Sequence, residues 1–290
     1  MNKLTLIGLN TDKEKILERL MEQGVTEIVD KDRLSSEEWS SLMEKDGDAE
    51  SVHQLDNRIE KVSSALGKLS GYTVSKKSLF ESKRTISKDE FDKVLRDEDR
   101  IWAVVEDIIQ LAARQEDLKS ERNKTENFIH NLEPWMSLDV PLDLTGTKST
   151  VISLGTVPAS ADVDGMVKEL AEQVPESCIK CVNRDQYQSY LFLIYHNKLE
   201  EETARVIKKY GFAKVIFNDI KGTAAENINA AKKKISRIDA EIDEIKIRIA
   251  AHASERPNME VYYDSLVARR DRKKALGSIL KTESVFMLEG

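Results

Sequence analysis

Two cysteines, Cys178 and Cys181 in "ESCIKCVN", have the spacing that first suggests chemistry. A CxxC pair can hold half of a zinc site or cycle between dithiol and disulfide. A structural zinc site needs two further Cys or His ligands at matching spacing, and the four histidines, His53, His130, His196 and His252, are scattered. In a strand, residues three apart point to opposite faces, which also disfavours a redox pair. "GTKST" (Gly146 to Thr150) invites a phosphate-loop reading, but its glycine and lysine are not adjacent, the upstream glycine is missing, and it leads into a strand instead of opening a helix. The basic run "RRDRKK" (Arg269 to Lys274) reads as a solvated helix face or as a contact for anionic lipid or nucleic acid. Glu200, Glu201 and Glu202 read as the first turn of a helix, where carboxylates meet the positive end of the dipole. None of these groups supplies a nucleophile with its base or a metal set. The sequence predicts no catalytic, cofactor-binding or metal-binding residue and no enzyme.

Composition points to long helices instead. Of 290 residues, 33% are charged, which suits solvated rods better than one large core. A net charge of -7 with pI near 5.4 argues against a nucleic-acid partner, which rewards a dense positive surface. No apolar run approaches the roughly 18 residues of a membrane helix. Met1 to Gly8 lacks the apolar core of a signal peptide and looks like a strand, so a cytoplasmic chain is expected.

Heptad spacing appears in two places. Ile228, Ala231, Ile235, Ile238, Ile242, Ile245, Ile249 and His252 step by three and four residues, as a coiled-coil seam does. Val52, Leu55, Ile59, Val62, Leu66 and Leu69 do the same, ending near "SGYT", where Gly71 suits a left-handed cap. A third, less regular helix is expected from Ser87, whose capping box with Glu90 opens it, to a stop at Pro134. Lys88 to Glu133 carries 8 Lys+Arg against 13 Asp+Glu, net -5, and Gly222 to Lys281 carries 13 against 9, net +4. Opposite charge favours pairing these two segments side by side, antiparallel, although the apolar seam is the main stabiliser. Pro257 interrupts the returning helix or marks its junction with a second one, Met259 to Leu280. Fifty helical residues span about 75 Å at roughly 1.5 Å per residue, so lobes at the two ends would lie far apart.

Two small lobes complete the expected α+β fold, a long antiparallel coiled-coil or bundle stalk joining two α/β lobes. Residues 1–46 with 282–290 form one lobe. In it the strand Lys3 to Leu9, a helix ending at Gly24, a strand Val25 to Val29 and a closing strand Ser284 to Leu288 come together. Trp39, Leu42 and Met43 either close its core or form an exposed contact. Residues 47–140 with 222–281 form the stalk. The distal lobe, 141–221, shows the order βαββαβ, the ferredoxin-like pattern. Its strand Tyr187 to His196 is apolar on both faces, with Leu191, Leu193 and Tyr195 on one and Tyr190, Phe192 and Ile194 on the other. Helices cover one face of such a sheet, so the stalk's own end or a partner protein covers the other.

Four pieces in order along the whole chain carry a resemblance: "KLTLIGL" with "ILERLMEQG", "LDVPLDLTGTKSTVISLGTVP", "YGFAKVIFNDIKGTAAENI" and "LKTESVFMLEG". They resemble the I subunit of archaeal and bacterial V/A-type ATPases, counterpart of the eukaryotic V-ATPase a subunit, in its amino-terminal cytoplasmic part. The family continues past the position of Gly290 into a membrane domain of several helices. The resemblance therefore implies a soluble fragment of a membrane protein, working at the cytoplasmic face of the membrane. It implies a stator that resists torque during ATP-coupled proton or sodium transport, and it implies a subunit without catalysis of its own. Its implied partners are the peripheral-stalk E and G subunits, with the central-stalk rotor-cap subunit nearby and the rotor ring reached through the membrane domain. No cofactor is implied, and the fragment alone is expected to be monomeric. Tyr190, Phe192, Ile194 and Trp39 are the partner-binding candidates. A coiled-coil adaptor with a ferredoxin-like ligand-sensing lobe is the alternative.

Overall fold

The computed structural model describes residues 4–24, 44–45, 48–72, 85–277 and 279–290. The expected strand Val25 to Val29 and the residues Trp39, Leu42 and Met43 lie outside them. The fold is α+β, with two antiparallel sheets among many helices. Contacts divide the chain into two compact units, Met1–Arg114 with Ile245–Gly290 and Gln115–Glu244.

In the first unit, β1 (Thr5–Leu9) pairs antiparallel with β8 (Val285–Glu289), so the two ends of the described chain meet in one sheet. The short strands β7 (Leu280–Lys281) and β2 (Glu44–Lys45) extend it in the order β1-β8-β7-β2. Helix α1 (Lys13–Gln23) lays Leu17 onto Phe286, Leu288 and Ile279, all fully buried or nearly so. Gly24, at φ 61, ends α1 in the left-handed conformation, and its amide closes on the Leu20 carbonyl.

Helix α2 (Ala49–Leu69) buries Ile59, Val62 and Leu69 of the expected stripe, and Ala65 is buried where Leu66, half-buried, was expected. It ends without the left-handed glycine predicted at Gly71. Ser70 stays right-handed, and its amide is shared between the Leu66 and Gly67 carbonyls, so the last turn tightens and satisfies its own acceptors. The Ser87–Glu90 capping box is present, with Glu90 N donating to Ser87 Oγ at 3.2 Å and Ser87 N to Glu90 Oε2 at 3.1 Å. The helix it opens is not continuous as expected. α3 (Lys88–Arg96) stops at Asp97, whose φ -96 and ψ 14 leave the helical region. α4 (Glu98–Leu132) starts at once, because the Asp97 carbonyl still accepts from Ile101 N.

The heptad stripe lies on α7 (Ala224–Ala251), where Ile228, Ala231, Ile238, Ile242, Ile245 and Ile249 are buried and Ile235 is half-buried. Ion pairs join α7 to α4 as the charge balance predicts. In the first unit, Asp107 accepts from Arg248 and His252. In the second, Arg122 meets Asp239 at 2.8 Å and Lys234 meets Glu121 at 2.7 Å. In the first unit Asp107 meets Arg248 while the earlier Arg100 meets the later Glu255 at 2.8 Å, so there the chain returns antiparallel to α4. A 3-10 turn, His252–Glu255, then leads into α8 (Arg256–Gly277), with Pro257 in its first turn, where the missing amide costs nothing. α8 ends three residues before the expected Leu280, which instead joins β7.

The second unit holds the inserted lobe. β3 (Thr150–Pro158), α5 (Val163–Gln173), β4 (Ser177–Arg184), β5 (Gln188–His196), α6 (Glu200–Lys209) and β6 (Ala213–Val215) follow in that order. The sheet order is β4-β5-β3-β6, antiparallel throughout. Leu191, Leu193 and Tyr195 pack under α5 and α6 with Met166, Leu170 and Val206. Gly155, in the middle of β3, is needed for close approach. A Cβ there would run into the Phe212 ring. Gly155→Ala should therefore destabilise this unit by about 1–3 kcal/mol through overpacking, read as a lower midpoint in urea at unchanged slope.

Candidate docking surface

A cluster of aromatic residues lies where α4 ends and the lobe begins. Pro134 stops the α-helix, a 3-10 turn (Glu133–Trp135) follows, and the turn drives Trp135 inward until 1% of it is exposed. Tyr190 and Phe217 meet the indole edge-on, at centroid distances of 5.5 and 5.9 Å. These rings, with Phe128, Leu132 and Val215, line an open cleft of about 470 Å³ whose rim carries Ile216, 69% exposed.

Tyr190 is oriented by its own turn. Its hydroxyl donates to Asp185 Oδ2 and accepts from Gln188 Nε2, both at 2.8 Å. Asp185 Oδ1 also accepts from the Tyr187 and Gln188 amides. The two backbone amides, then the Tyr190 hydroxyl, hold the Asp185 carboxyl below its ordinary value. Burial, aided by the neighbouring carboxylate, pushes the Tyr190 phenol up. A depressed carboxyl contributes stability that is present above its unfolded pKa and is lost as pH falls through the lower folded value. Asp185→Asn should thus lower this unit's stability at neutral pH, where the contribution is full, and flatten the acid limb, so that denaturant midpoints of the two proteins converge as pH falls through and below the ordinary carboxylate range.

The other sequence-predicted candidates fall on the same strand. Phe192 is half-buried and packs against the cluster that contains Trp135, Leu154 and Ile228. Ile194 is half-buried, paired with Ile152 on β3 and Cys178 on β4. Of the two coverings left open for this face, the chain's own residues supply a large part. Trp39 lies outside the described residues. Trp135, Ile216 and Phe217 were not singled out from sequence. The signal lies in a Pro-Trp pair at a helix end and in "FAKVIF", whose apolar run reads as a strand through Phe217 although β6 stops at Val215.

The groups that first suggested chemistry are occupied otherwise. Cys178 and Cys181 are exposed on opposite sheet faces, opposite Ile194 and Leu191 respectively. In "GTKST", the Ser149 and Thr150 amides donate to Thr147 Oγ1 and the Thr147 amide to the Thr150 carbonyl, which leaves no amide cradle for a phosphate. Glu200–Glu202 form the first turn of α6. In the first unit, every cation of the basic run faces a carboxylate: Arg269 with Glu98, Arg270 with Asp56 and Asp271, Arg272 with Glu18, Lys273 with Asp48 and Lys274 with Asp56. The run stitches α8 to its neighbours. Among the described residues, no group of three or more His, Cys, Asp or Glu is placed to hold a metal, and no helix is long and apolar enough to cross a membrane.

Sequence comparison bears out the resemblance to subunit I. The chain is similar along its whole length to the A-type ATP synthase subunit I of Methanocaldococcus jannaschii, at 20% identity over 308 residues. It spans 44% of that protein's length. Among solved structures it is similar to the cytoplasmic N-terminal domain of subunit I, homolog of subunit a, of V-ATPase. There the TM-score is 0.47 and the identity 15%, over 99% of this chain and 92% of that one. No family model matches the chain.

Proposed function

We infer that this chain is the cytoplasmic arm of a rotary V/A-type ATPase stator. The observation that carries the reading is the similarity to subunit I over all of the chain and under half of the relative, which leaves the relative's remaining part to provide whatever lies beyond such an arm. The antiparallel α4 and α7 pair, with its isoleucine seam and cross-helix ion pairs, is read as a coiled-coil stalk. The inserted lobe, with its βαββαβ order and β4-β5-β3-β6 sheet, is read as ferredoxin-like. Such an arm would resist torque and hand the reaction force to the peripheral stalks. The arm itself has no catalytic role.

The docking partner in this reading is the heterodimer of peripheral-stalk E and G subunits, with the rotor-cap subunit nearby. The aromatic cleft is the surface assigned to it, with Tyr190 in its wall, Ile216 at its rim, and Phe192 and Ile194 on the same strand. Trp39 is retained as a contact of the other lobe. Pull-down of purified E–G heterodimer by the chain, with and without residues 141–221, tests the reading. Binding by the intact chain is the expected result, and failure of both forms would sink it. Ile216→Asp places a charge on an exposed rim and should weaken capture while the thermal midpoint stays put. Phe192→Asp, by contrast, should lower the midpoint itself, because that ring already packs on the internal cluster.

A further inference from the structure

In the first unit, α2 and α8 turn unusual faces toward each other. Ser51, Gln54, Leu55 and Arg58 on α2 fall at the i, i+3, i+4, i+7 positions of one helical stripe, and Arg269, Arg272, Lys273 and Leu276 on α8 fall at the same positions of another. Together with Glu14 they line one cleft of about 440 Å³. Stripes that face a neighbouring helix are ordinarily apolar. Here two leucines form the apolar part, and the rest offers a hydroxyl, an amide and four cations against one carboxylate.

The cations are unevenly matched. Arg269 holds Glu98 at 2.8 Å, whereas Lys273 meets Asp48 only at 3.4 Å and Arg272 meets Glu18 only at 3.8 Å. Asp48 also spends its oxygens on Ser51 in capping α2. No carboxylate among the described residues pairs with Arg58. Its guanidinium instead lies 4.7 Å from the centroid of the Trp102 ring, which fixes its position without neutralising it. The cleft thus presents one fixed guanidinium with no carboxylate partner among the described residues and two cations on longer ion pairs, of which Arg272 also donates to the Glu14 carbonyl at 3.3 Å.

We propose that this cleft binds a phosphate-bearing anion, with Arg58, Arg272 and Lys273 as the charged contacts and Gln54 as a neutral donor. Guanidinium groups suit phosphate oxygens because their N–H groups match them in pairs. The anion would displace the long contacts of Arg272 to Glu18 and of Lys273 to Asp48 and leave Arg269 with Glu98. The inference is independent of the stator reading, and it leaves the source of the phosphate, a soluble metabolite or a lipid headgroup, to the two arms of the test.

In the first arm, sodium pyrophosphate is titrated calorimetrically into the 290-residue chain. In the second, the chain is floated with phosphatidylcholine vesicles with and without phosphatidylglycerol. Pyrophosphate should bind, and Arg58→Gln with Arg272→Gln should weaken it on the order of tenfold per lost cation. Gln54→Glu, which keeps every arginine and adds a carboxylate inside the cleft, should weaken it similarly and decides the matter if the arginine variant unfolds. Lys232→Gln with Lys233→Gln, an exposed pair in the other unit, should change nothing. Flotation that requires phosphatidylglycerol and yields to pyrophosphate assigns a headgroup; pyrophosphate binding without flotation assigns a soluble anion. The proposal fails if neither probe binds, or if the Lys232 and Lys233 variant loses as much as the cleft variants.

Discussion

Trp135→Ala should cost the second unit about 3–5 kcal/mol, the range for removing a buried large aromatic side chain. Trp135 is 1% exposed and is shared by three parts of the unit: the end of α4, strand β5 through Tyr190, and the segment after β6 through Phe217. Its removal takes away the edge contacts to both rings as well as the transfer term. Partial collapse is limited because Ile228 and Leu132, which line the same core, are anchored in different helices. Denaturation followed by tryptophan-independent circular dichroism should show the second unit melting first, while the first unit, with its separate core, melts as before. Trp135→Phe keeps a ring in place and should cost distinctly less. A single unchanged transition in Trp135→Ala would show that the indole is not what joins helix end to sheet.

Phe286→Ala is expected to be comparably damaging in the first unit, again about 3–5 kcal/mol. Phe286 is fully buried against Leu17, Ile279 and Leu288, and its ring edge rests on Gly8, where a Cβ would lie 2.8 Å from it. Strand β1 is thereby held on β8 by side-chain packing as well as by its ladder. Hydrogen exchange should show the β1 amides losing protection in Phe286→Ala, with the α4 and α7 amides of the second unit unchanged. Exchange unchanged in β1 would mean that the ladder stands without the ring.

The parts of this architecture that were legible in sequence are those with a strong period or a local signature. The Ile228 to Ile249 stripe, the Ser87–Glu90 box, the Gly24 stop and the alternation of Tyr190 to Tyr195 each follow from geometry that a single helix or strand imposes. What was not legible depends on choices made among distant residues. Asp97 breaks the third helix by one residue's dihedral angles, which no pattern in "LRDEDR" announces. The end of α2 needed no glycine, because a tightened last turn satisfied the same carbonyls. Leu280 has the apolar character of either element and was taken by the sheet. At the candidate surface, period two showed that β5 has two apolar faces but not what lies on the second. That answer came from Trp135, more than fifty residues away from the strand it packs on.

The pairing of β1 with β8 also decides how the first unit would carry a load. Leu4 and Gly290 exchange backbone hydrogen bonds, and β8 lies between β1 and β7 rather than at the rim of its sheet. A pull applied at Gly290 along the strand would therefore have to shear two ladders at once instead of unzipping one rung by rung. Anything joined to that end would be anchored through the middle of a sheet, in the orientation in which hydrogen bonds resist extension together.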